Sequence, residues 1–289
     1  MAARFDTITF LSDYGTGDEF VGVVKSVIRS IAPHTTVVDL THEITPYDVR
    51  AGSLTLGRAA QYLCPGVVLA VVDPGVGTAR RGVAIEVGGG QSYLVGPDNG
   101  LLASAVAMSG GATAVVELTN AELQLPAPGA TFAGRDVFAP AAAHLCNGVA
   151  LAALGPSVDP LTLLPGLLPL TREDGDALVA EVLWVDRYGN AQLNVDPDEV
   201  AGFGPRVQLR WGDDIRTATV GTTYAGIPDG EIGLVVDSYG MLSVCLGRRS
   251  AAGELRMPVG TEVVLSAPTD DAPAPGVSTP VSLTPRSAA

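Results

Sequence analysis

A carboxylate and two guanidinium groups lie close together in the segment Val-Val-Asp-Pro-Gly-Val-Gly-Thr-Ala-Arg-Arg, at Asp73, Arg80 and Arg81. An apolar, strand-like run over 66–72 precedes Asp73, and open α/β sheets place ligand crevices at the carboxyl ends of such strands. Asp73 is therefore the first candidate for chemistry, with Arg80 as its partner. The same residues also suit an ordinary surface turn with an ion pair, and the local pattern alone favours that turn.

A second acidic loop, Ser-Asp-Tyr-Gly-Thr-Gly-Asp at 12–18, stands between a strand-like and a helix-like segment. It is not a dinucleotide fingerprint, because the third glycine is missing and Asp13 and Asp18 would repel a pyrophosphate at a helix N-terminus. Carboxylates there suit ribose hydroxyls, an amine or a cation. Asp18 could equally be a simple helix cap, and the sequence does not separate the two interpretations.

A third acidic site follows at 184–190, where Asp186, Tyr188 and Asn190 stand within five residues. These groups could bind an amino group and stack on a flat ring. Tyr-Gly-Asn is also good hairpin chemistry, and local pattern alone favours the hairpin. The three histidines and three cysteines show no metal-ligand spacing, so we expect no metal site.

Strands and helices alternate in the first half of the chain, which predicts a mainly parallel sheet covered by helices on both faces. The predicted strands are 7–11, 36–40, 66–72, 83–87, 92–95 and 114–118, and the predicted helices are 20–31, 48–64, 101–108 and 137–147. Beyond a polar break, the pattern changes to short strands separated by turns, at 177–184, 207–211, 215–220, 232–236, 242–246 and 259–265. That pattern predicts a small barrel or sandwich.

These patterns predict an α/β domain over 1–165, a linker over 166–176, an all-β domain over 177–266 and a disordered tail over 267–289. The formal net charge of −14 argues against a nucleic-acid partner, which needs clustered Lys and Arg. We also expect no membrane insertion, since no apolar stretch reaches about twenty residues. Three scattered cysteines without an export signal predict reduced thiols and a cytoplasmic protein.

Eight short motifs occur in an order that resembles the S-adenosyl-L-methionine hydrolases that form adenosine, also called hydroxide adenosyltransferases. These enzymes are relatives of the fluorinating and chlorinating enzymes that use the same substrate. The motifs are Ser-Asp-Tyr-Gly at 12–15, Thr-Pro-Tyr-Asp at 45–48, Val-Asp-Pro-Gly-Val-Gly at 72–77, Gly-Pro-Asp-Asn-Gly at 96–100, Thr-Phe at 131–132, Gly-Arg-Asp at 134–136, Asp-Arg-Tyr-Gly-Asn at 186–190 and Ser-Tyr-Gly at 238–240. Each motif is modest alone, but the ordered set is specific.

The resemblance implies an N-terminal Rossmann-like domain, a C-terminal β-barrel, and a homotrimer with each active site between the N domain of one subunit and the C domain of its neighbour. It implies no cofactor, because S-adenosyl-L-methionine is the substrate. By similarity, Asp13 holds the ribose hydroxyls, Tyr47 and Tyr188 flank the nucleoside, and Asn190 contacts adenine. Asp186 and Ser238 bind the methionine amine and carboxylate. Asp73 and Arg80 match two members of the family's catalytic Asp, Arg and His.

The third member of that catalytic set is replaced in this chain. The hydrolases place a histidine between Phe and Gly where this chain reads Thr-Phe-Ala-Gly, so Ala133 departs from the pattern. A natural variant and an engineered substitution both fit the sequence. The predicted reaction is attack of water or hydroxide on the ribose C5′, slowed by the missing histidine.

Three alternative functions remain open from the sequence. The chain could bind S-adenosyl-L-methionine or adenosine without turnover, act on another nucleoside, or halogenate. Halogenation is disfavoured because a carboxylate at Asp73 would repel chloride or fluoride, whereas it can accept a hydrogen bond from water. The halogenating relatives resemble one another in having tyrosine and threonine where this chain has Asp73 and Val76.

Overall fold

The computed structural model describes residues 4–268 and divides the chain into two units, which meet in sequence at Leu168 and Pro169. Six strands form one sheet in the first unit: β1 Thr7–Ser12, β2 Thr36–Thr41, β3 Val67–Val71, β4 Gly82–Val87, β5 Ser92–Pro97 and β6 Ala112–Glu117. Their order across the sheet is β2-β1-β3-β5-β4-β6. The described residues thus include all six strands that the sequence predicts in this half, with small shifts at the ends.

The sheet is mixed, which corrects the expectation of a mainly parallel sheet in one respect. Strands β2, β1, β3 and β5 pair in parallel, whereas β4 pairs antiparallel with both β5 and β6. Only the short segment 88–91 joins β4 to β5. A connection of that length permits a hairpin but not the crossover that parallel strands require.

Helices cover both faces of this sheet, as the alternating pattern predicts. They are α1 Phe20–Ile31, α2 Val49–Ala59, α3 Ala103–Met108 and α4 Ala139–Cys146, the last preceded by a π-helical turn at Gly134–Phe138. Strand β3 shows how both faces are filled, since Val67, Leu69 and Val71 join the core beneath α1 and α4 while Val68 and Ala70 join the opposite core beneath α2. The uninterrupted apolar run of β3 follows from burial on both sides.

Two predicted helices differ from the structure. The helix predicted over 48–64 ends at Ala59 and continues as a 3-10 turn, Ala60–Tyr62, while the Asp48 side chain caps its start by accepting the Ala51 N–H at 2.8 Å. The helix predicted over 137–147 is α4 together with the wider π-helical turn before it. That turn carries the Gly-Arg-Asp motif, so its unusual geometry lies at a candidate site.

The second unit contains a closed barrel of seven strands and one further strand. The eight strands of the unit are β7 Arg172–Asp174, β8 Ala177–Val185, β9 Ala191–Leu193, β10 Arg206–Trp211, β11 Asp214–Gly221, β12 Ile232–Val236, β13 Leu242–Leu246 and β14 Glu262–Ser266, of which β8–β14 form the barrel. Pairing of β14 with β8 closes the ring, and β7 lies outside it as a hairpin arm on β8. The sequence pattern missed β7 and β9, each of three residues, and β7 lies inside the segment 166–176 predicted as a linker.

Short helical turns join the barrel strands, contrary to the expectation that turns alone would do so. They include a 3-10 segment at Pro197–Phe203 and a helix α5 at Ala251–Glu254. The tail predicted to be disordered lies, from residue 269 onward, outside the described residues. Over 4–268, the structure contains no helix of the length and apolarity that crossing a bilayer requires.

Candidate active site

Asp73 and Arg80 form a two-bond ion pair directly beyond the carboxyl end of β3. Arg80 Nε donates to Asp73 Oδ1 at 3.0 Å and Nη2 donates to Oδ2 at 2.5 Å. Only 5% of the Asp73 side chain and 14% of the Arg80 side chain are exposed. Burial raises the pKa of the Asp73 carboxyl, although Arg80 acts in the opposite direction. Asp73 is therefore a desolvated carboxylate and a stronger base than an aspartate at the protein surface.

The glycine-rich loop after Asp73 brings Arg80 back to it. The Val76 N–H bonds to the Asp73 carbonyl at 3.2 Å, and the Thr78 hydroxyl bonds to the Gly75 carbonyl at 2.7 Å. The Arg80 guanidinium also lies 5.3 Å from the ring centroid of Phe138. Turn and ion pair thus coexist here, and the two sequence interpretations of this segment are not exclusive.

The Gly-Pro-Asp-Asn-Gly motif holds the end of β3 in place. Asn99 Nδ2 donates to the Val72 carbonyl at 2.9 Å, immediately before Asp73. Asp98 accepts two bonds from Arg81, at 3.0 and 2.5 Å. The adjacent arginines Arg80 and Arg81 therefore serve different aspartates. Sequence reasoning assigned Asn99 no role, because nothing in the sequence indicates which carbonyl its amide reaches.

Residues of both acidic loops of the first unit line a cavity of about 250 Å³. Asp13, Tyr47 and Asp73 line it, together with Tyr14, Phe132 and Ala133. Ala133 and Arg80 also line an adjoining cavity of about 400 Å³. The residue at the position of the missing histidine therefore stands at the wall between the two spaces.

Tyr47 is held in an uncommon backbone conformation beside Asp13. Its φ is 69°, in the left-handed region that non-glycine residues rarely occupy, and its backbone N–H donates to Asp13 Oδ2 at 2.9 Å. The ring is 74% exposed. The Asp13 carboxylate thus stabilises the loop that presents this aromatic ring, and strained residues of this kind concentrate at ligand sites.

A buried histidine, in contact with a serine and an aspartate, supports the loop after β1. The Ser12 hydroxyl lies 2.8 Å from His42 Nδ1, and His42 Nε2 lies 3.1 Å from Asp39 Oδ1. These three residue types also form hydrolytic triads, but Ser12 is fully buried and its oxygen accepts the Tyr14 N–H at 3.3 Å. We interpret these contacts as support for Asp13 and Tyr14. The sequence showed only that His42 lacks metal-ligand spacing and did not indicate this role.

A second cavity, of about 840 Å³, lies in the barrel unit. Asp186, Tyr188, Asn190 and Ser238 line it. Asp186 Oδ1 accepts the N–H groups of Tyr188 and Asn190, both at 2.8 Å, and Asp186 Oδ2 accepts from Asn190 Nδ2 at 2.7 Å. The carboxylate thus builds the predicted turn, while the Tyr188 ring remains 80% exposed.

Asp237 stabilises the turn that contains Ser238 in the same way, and the sequence analysis did not identify it. Its Oδ1 accepts the Tyr239 N–H at 2.8 Å, and its Oδ2 accepts from Gln192 at 2.6 Å and from Ser243 at 3.1 Å. Ser238 stays exposed at the cavity rim. The sequence signal that could have indicated this role is an Asp at the start of a turn, because such a side chain commonly accepts the backbone N–H two residues later.

Comparison with known proteins decides the family. The model of the SAM hydroxide adenosyltransferase N-terminal domain matches residues 8–155, and that of the C-terminal domain matches residues 180–264. The chain belongs to the SAM hydroxide adenosyltransferase family. The resemblance seen in the ordered motifs is thereby confirmed.

Individual relatives of the protein support its assignment to the SAM hydroxide adenosyltransferase family. A protein of Salinispora tropica named (R)-S-adenosyl-L-methionine hydrolase is 42% identical over 260 residues, covering 90% of this chain and 97% of that protein. A more distant relative from Actinoplanes, named fluorinase, is 30% identical, and the match covers 70% of this chain and 76% of that protein. The crystal structure of a conserved protein from Thermotoga maritima matches with a TM-score of 0.83 at 33% identity, covering 90% of this chain and 99% of that one.

The structure groups the predicted site residues of this family member into two sets. Asp13, Tyr47 and Asp73 line one cavity of the first unit, with Arg80 bonded to Asp73 from the adjoining cavity. The remaining predicted residues, Asp186, Tyr188, Asn190 and Ser238, line one cavity of the barrel. The first set brings together residues that are far apart in sequence, the second joins Ser238 to the turn at 186–190, and each combines at least one carboxylate with an exposed tyrosine.

Proposed function

We propose that this protein hydrolyses S-adenosyl-L-methionine to adenosine and L-methionine. The observation that carries the proposal is the buried Asp73–Arg80 pair, at a cavity that also contains Asp13 and Tyr47, in a chain 42% identical to a protein named for this reaction. The substrate supplies its own reactivity, because a sulfonium makes C5′ electrophilic and leaves as a neutral thioether. We therefore assign the reaction no cofactor.

In the proposed chemistry, the oxygen of a water molecule forms a bond to C5′ while the C5′–sulfur bond breaks and its electron pair goes to sulfur. Asp73 accepts a hydrogen bond from the attacking water and takes up its proton, since burial raises the pKa of that carboxyl. Arg80 fixes the orientation of the carboxylate through its two bonds. Alignment of water with the breaking bond supplies much of the rate.

Substrate binding is proposed to use the two residue sets together. Asp13 would hold the ribose hydroxyls, and the exposed rings of Tyr47 and Tyr188 would flank the nucleoside. Asn190 Nδ2 already bonds to Asp186, so its Oδ1 is the atom offered to the amino group of adenine. Asp186 and Ser238 would bind the amine and carboxylate of methionine.

We propose the R form of the sulfonium as the substrate. The related protein of Salinispora tropica carries that descriptor in its name, and because L fixes the α-carbon, R refers to sulfur. Incubation with each sulfur epimer separately tests this point. We expect adenosine from the R form and unchanged ligand from the S form, and equal turnover of both would contradict the assignment.

We also propose a homotrimer in which the Asp73 set of one subunit and the Asp186 set of a neighbour complete each site. A mixture assembled by co-expression of Asp73→Asn and Asp186→Asn chains tests the shared site, because some sites in mixed trimers would contain both native sets. Activity above that of either variant alone supports sharing. A mass by light scattering other than three times the 29.5 kDa chain would contradict the trimer.

Two further proposals concern the fold of the first unit and the location of the protein in the cell. We propose that the first unit is a Rossmann-like variant, supported by its parallel β2-β1-β3-β5 core with helices on both faces. We propose a cytoplasmic location, supported by three cysteines that form no disulfide in the structure.

The decisive experiment is incubation of the purified protein with S-adenosyl-L-methionine, with and without chloride, followed by chromatography. An Ala133→His variant runs in parallel, since a histidine there should add a group worth roughly 10² to 10⁴ in rate. Adenosine and methionine in equal amounts support the hydrolase, with faster release from the variant. Intact ligand from both proteins leaves a binding protein, and a chlorinated nucleoside places the chain with the halogenating enzymes.

A further inference from the structure

The hydroxyl of Tyr14 lies against the backbone that follows Ala133. A Cβ added at Gly134 would come well inside 3.0 Å of the Tyr14 oxygen, and within 3.1 and 3.3 Å of two ring carbons. Tyr14 also lines the cavity that contains Ala133 and Asp73. The phenol oxygen therefore lies beside the position where the resemblance places a histidine.

Three aromatic rings fix the position of this hydroxyl. The ring centroid of Tyr14 lies 5.7 Å from those of both Phe132 and Phe20, and 6.5 Å from that of Phe10. Phe10 lies on β1, Phe20 begins α1 and Phe132 precedes the π-helical turn, so the tyrosine is held from three separate segments. A side chain packed in this way points its hydroxyl with little freedom.

Burial and the surrounding carboxylates keep the Tyr14 hydroxyl protonated. Burial raises the pKa of the phenol, and the carboxylates of Asp13, Asp73 and Asp136 raise it further. The group is therefore a neutral hydroxyl at physiological pH, able to donate one hydrogen bond and to accept others. Either lone pair of the hydroxyl oxygen can accept a hydrogen bond from a water molecule in the cavity.

We propose that the Tyr14 hydroxyl is a catalytic group that holds the attacking water together with Asp73, in the space that Ala133 leaves open. This inference rests on the proposed hydrolysis. Tyr14 keeps its proton throughout: the water donates one O–H to Asp73 and its other O–H to the phenol oxygen, and its own lone pair points at C5′. The phenol thus supplies the second fixed contact that a water needs for a defined orientation.

The test compares kcat and KM for adenosine formation by the wild type, Tyr14→Phe, Ala133→His and the double variant. Tyr14→Phe removes one oxygen and retains the ring packing, so we expect kcat to fall by about 10- to 100-fold with KM and the Kd for adenosine changed less than about threefold. In the Ala133→His background the same change should cost less than about threefold, because the imidazole takes over the water.

Tyr93→Phe is the matched control. Tyr93 is a buried tyrosine of the same unit, and its hydroxyl bonds to Glu86 at 3.2 Å, away from the cavity. It should lose stability in the same way as any buried tyrosine that loses a hydroxyl, and its kcat should equal that of the wild type. A fall in kcat for Tyr14→Phe but not for Tyr93→Phe separates a role in catalysis from general destabilisation.

The outcomes distinguish failure of this inference from failure of the proposed function. Equal kcat for the wild type and Tyr14→Phe overturns the role of Tyr14 and leaves the hydrolase intact. Turnover by Ala133→His but not by the wild type has the same meaning, because the phenol then does not replace the histidine. If no protein of the set forms adenosine, the proposed function fails, and the role of Tyr14 fails with it.

Discussion

Gly134 is the residue at which one methyl group should reveal the position of the Tyr14 hydroxyl. The backbone of Gly134 is helical, so alanine fits its conformation and would normally stabilise a helix by about 0.5 to 1 kcal/mol. Here the new methyl group would overlap the Tyr14 oxygen and press on two ring carbons at 3.1 and 3.3 Å. Gly134→Ala should therefore destabilise the first unit.

The expected loss in the free energy of unfolding depends on how far the Tyr14 ring can move away from the new methyl group. Tyr14 packs against Phe132 and Phe20 at 5.7 Å, and a methyl group forced into such a site typically costs about 1 to 3 kcal/mol. Tyr14→Phe removes the overlapping oxygen but leaves both close ring carbons. The penalty for Gly134→Ala should therefore shrink by about 1 to 2 kcal/mol in the Phe background without vanishing.

Thermal unfolding of the four proteins of this cycle measures the effect. Far-ultraviolet circular dichroism follows the first unit, where α1–α4 lie, and about 1 kcal/mol corresponds to roughly 2 to 4 °C for a unit of this size. Both tryptophans, Trp184 and Trp211, lie in the barrel, so their fluorescence should report an unchanged second unit.

Gly22→Ala is the control for this cycle, because Gly22 lies within α1 and a Cβ there meets no atom within 4 Å. It should be neutral or stabilising. Full stability of Gly134→Ala would refute the placement of Tyr14. So would a penalty that is the same in both backgrounds to within about 0.5 kcal/mol, because non-interacting sites are additive to that extent.

Three further predictions follow from buried groups. Burial lowers the pKa of His144 below its usual 6.5, so the unfolded chain binds the proton more readily than the folded protein. Stability is therefore lost as the pH falls through about 6.5. The variant His144→Gln should show a smaller decline in Tm between about pH 7.5 and 5.5. Burial raises the pKa of the Cys146 and Cys245 thiols to about 11, whereas Cys64 is exposed, so a thiol reagent at neutral pH should label Cys64 alone until the protein unfolds. Leu234 is fully buried in the barrel, so Leu234→Ala should cost about 2 to 5 kcal/mol by urea unfolding followed through tryptophan fluorescence, and a loss below about 1 kcal/mol would contradict that packing.

The sequence predicted those parts of the fold that depend on local pattern. The apolar run before Asp73 predicted a strand, and the structure shows β3 there, with its side chains divided between two cores. The helix α1 has the bounds that its spacing predicts. These elements follow from periodicity, which each segment carries within itself.

Pairing partners lie beyond that kind of pattern. The antiparallel direction of β4 depends on the short connection at 88–91, and β9 has only three residues through which to show a strand period. Asn99 and His42 act through a carbonyl and a hydroxyl supplied by distant segments. A single sequence shows the donor but not the acceptor, so positions of this kind were missed.

The charges around the first cavity explain why a cationic substrate and a neutral nucleophile suit it together. Arg80 neutralises Asp73, and Arg135 bonds to Asp136 at 2.6 Å, whereas Asp13 accepts the backbone N–H of Tyr47, which carries no net charge. The cavity that contains Asp13 and Asp73 therefore retains negative charge. A sulfonium is attracted into such a site and a halide is repelled from it, while water enters without electrostatic cost. The balance of paired and unpaired carboxylates thus favours hydrolysis over halogenation independently of the residue at position 133.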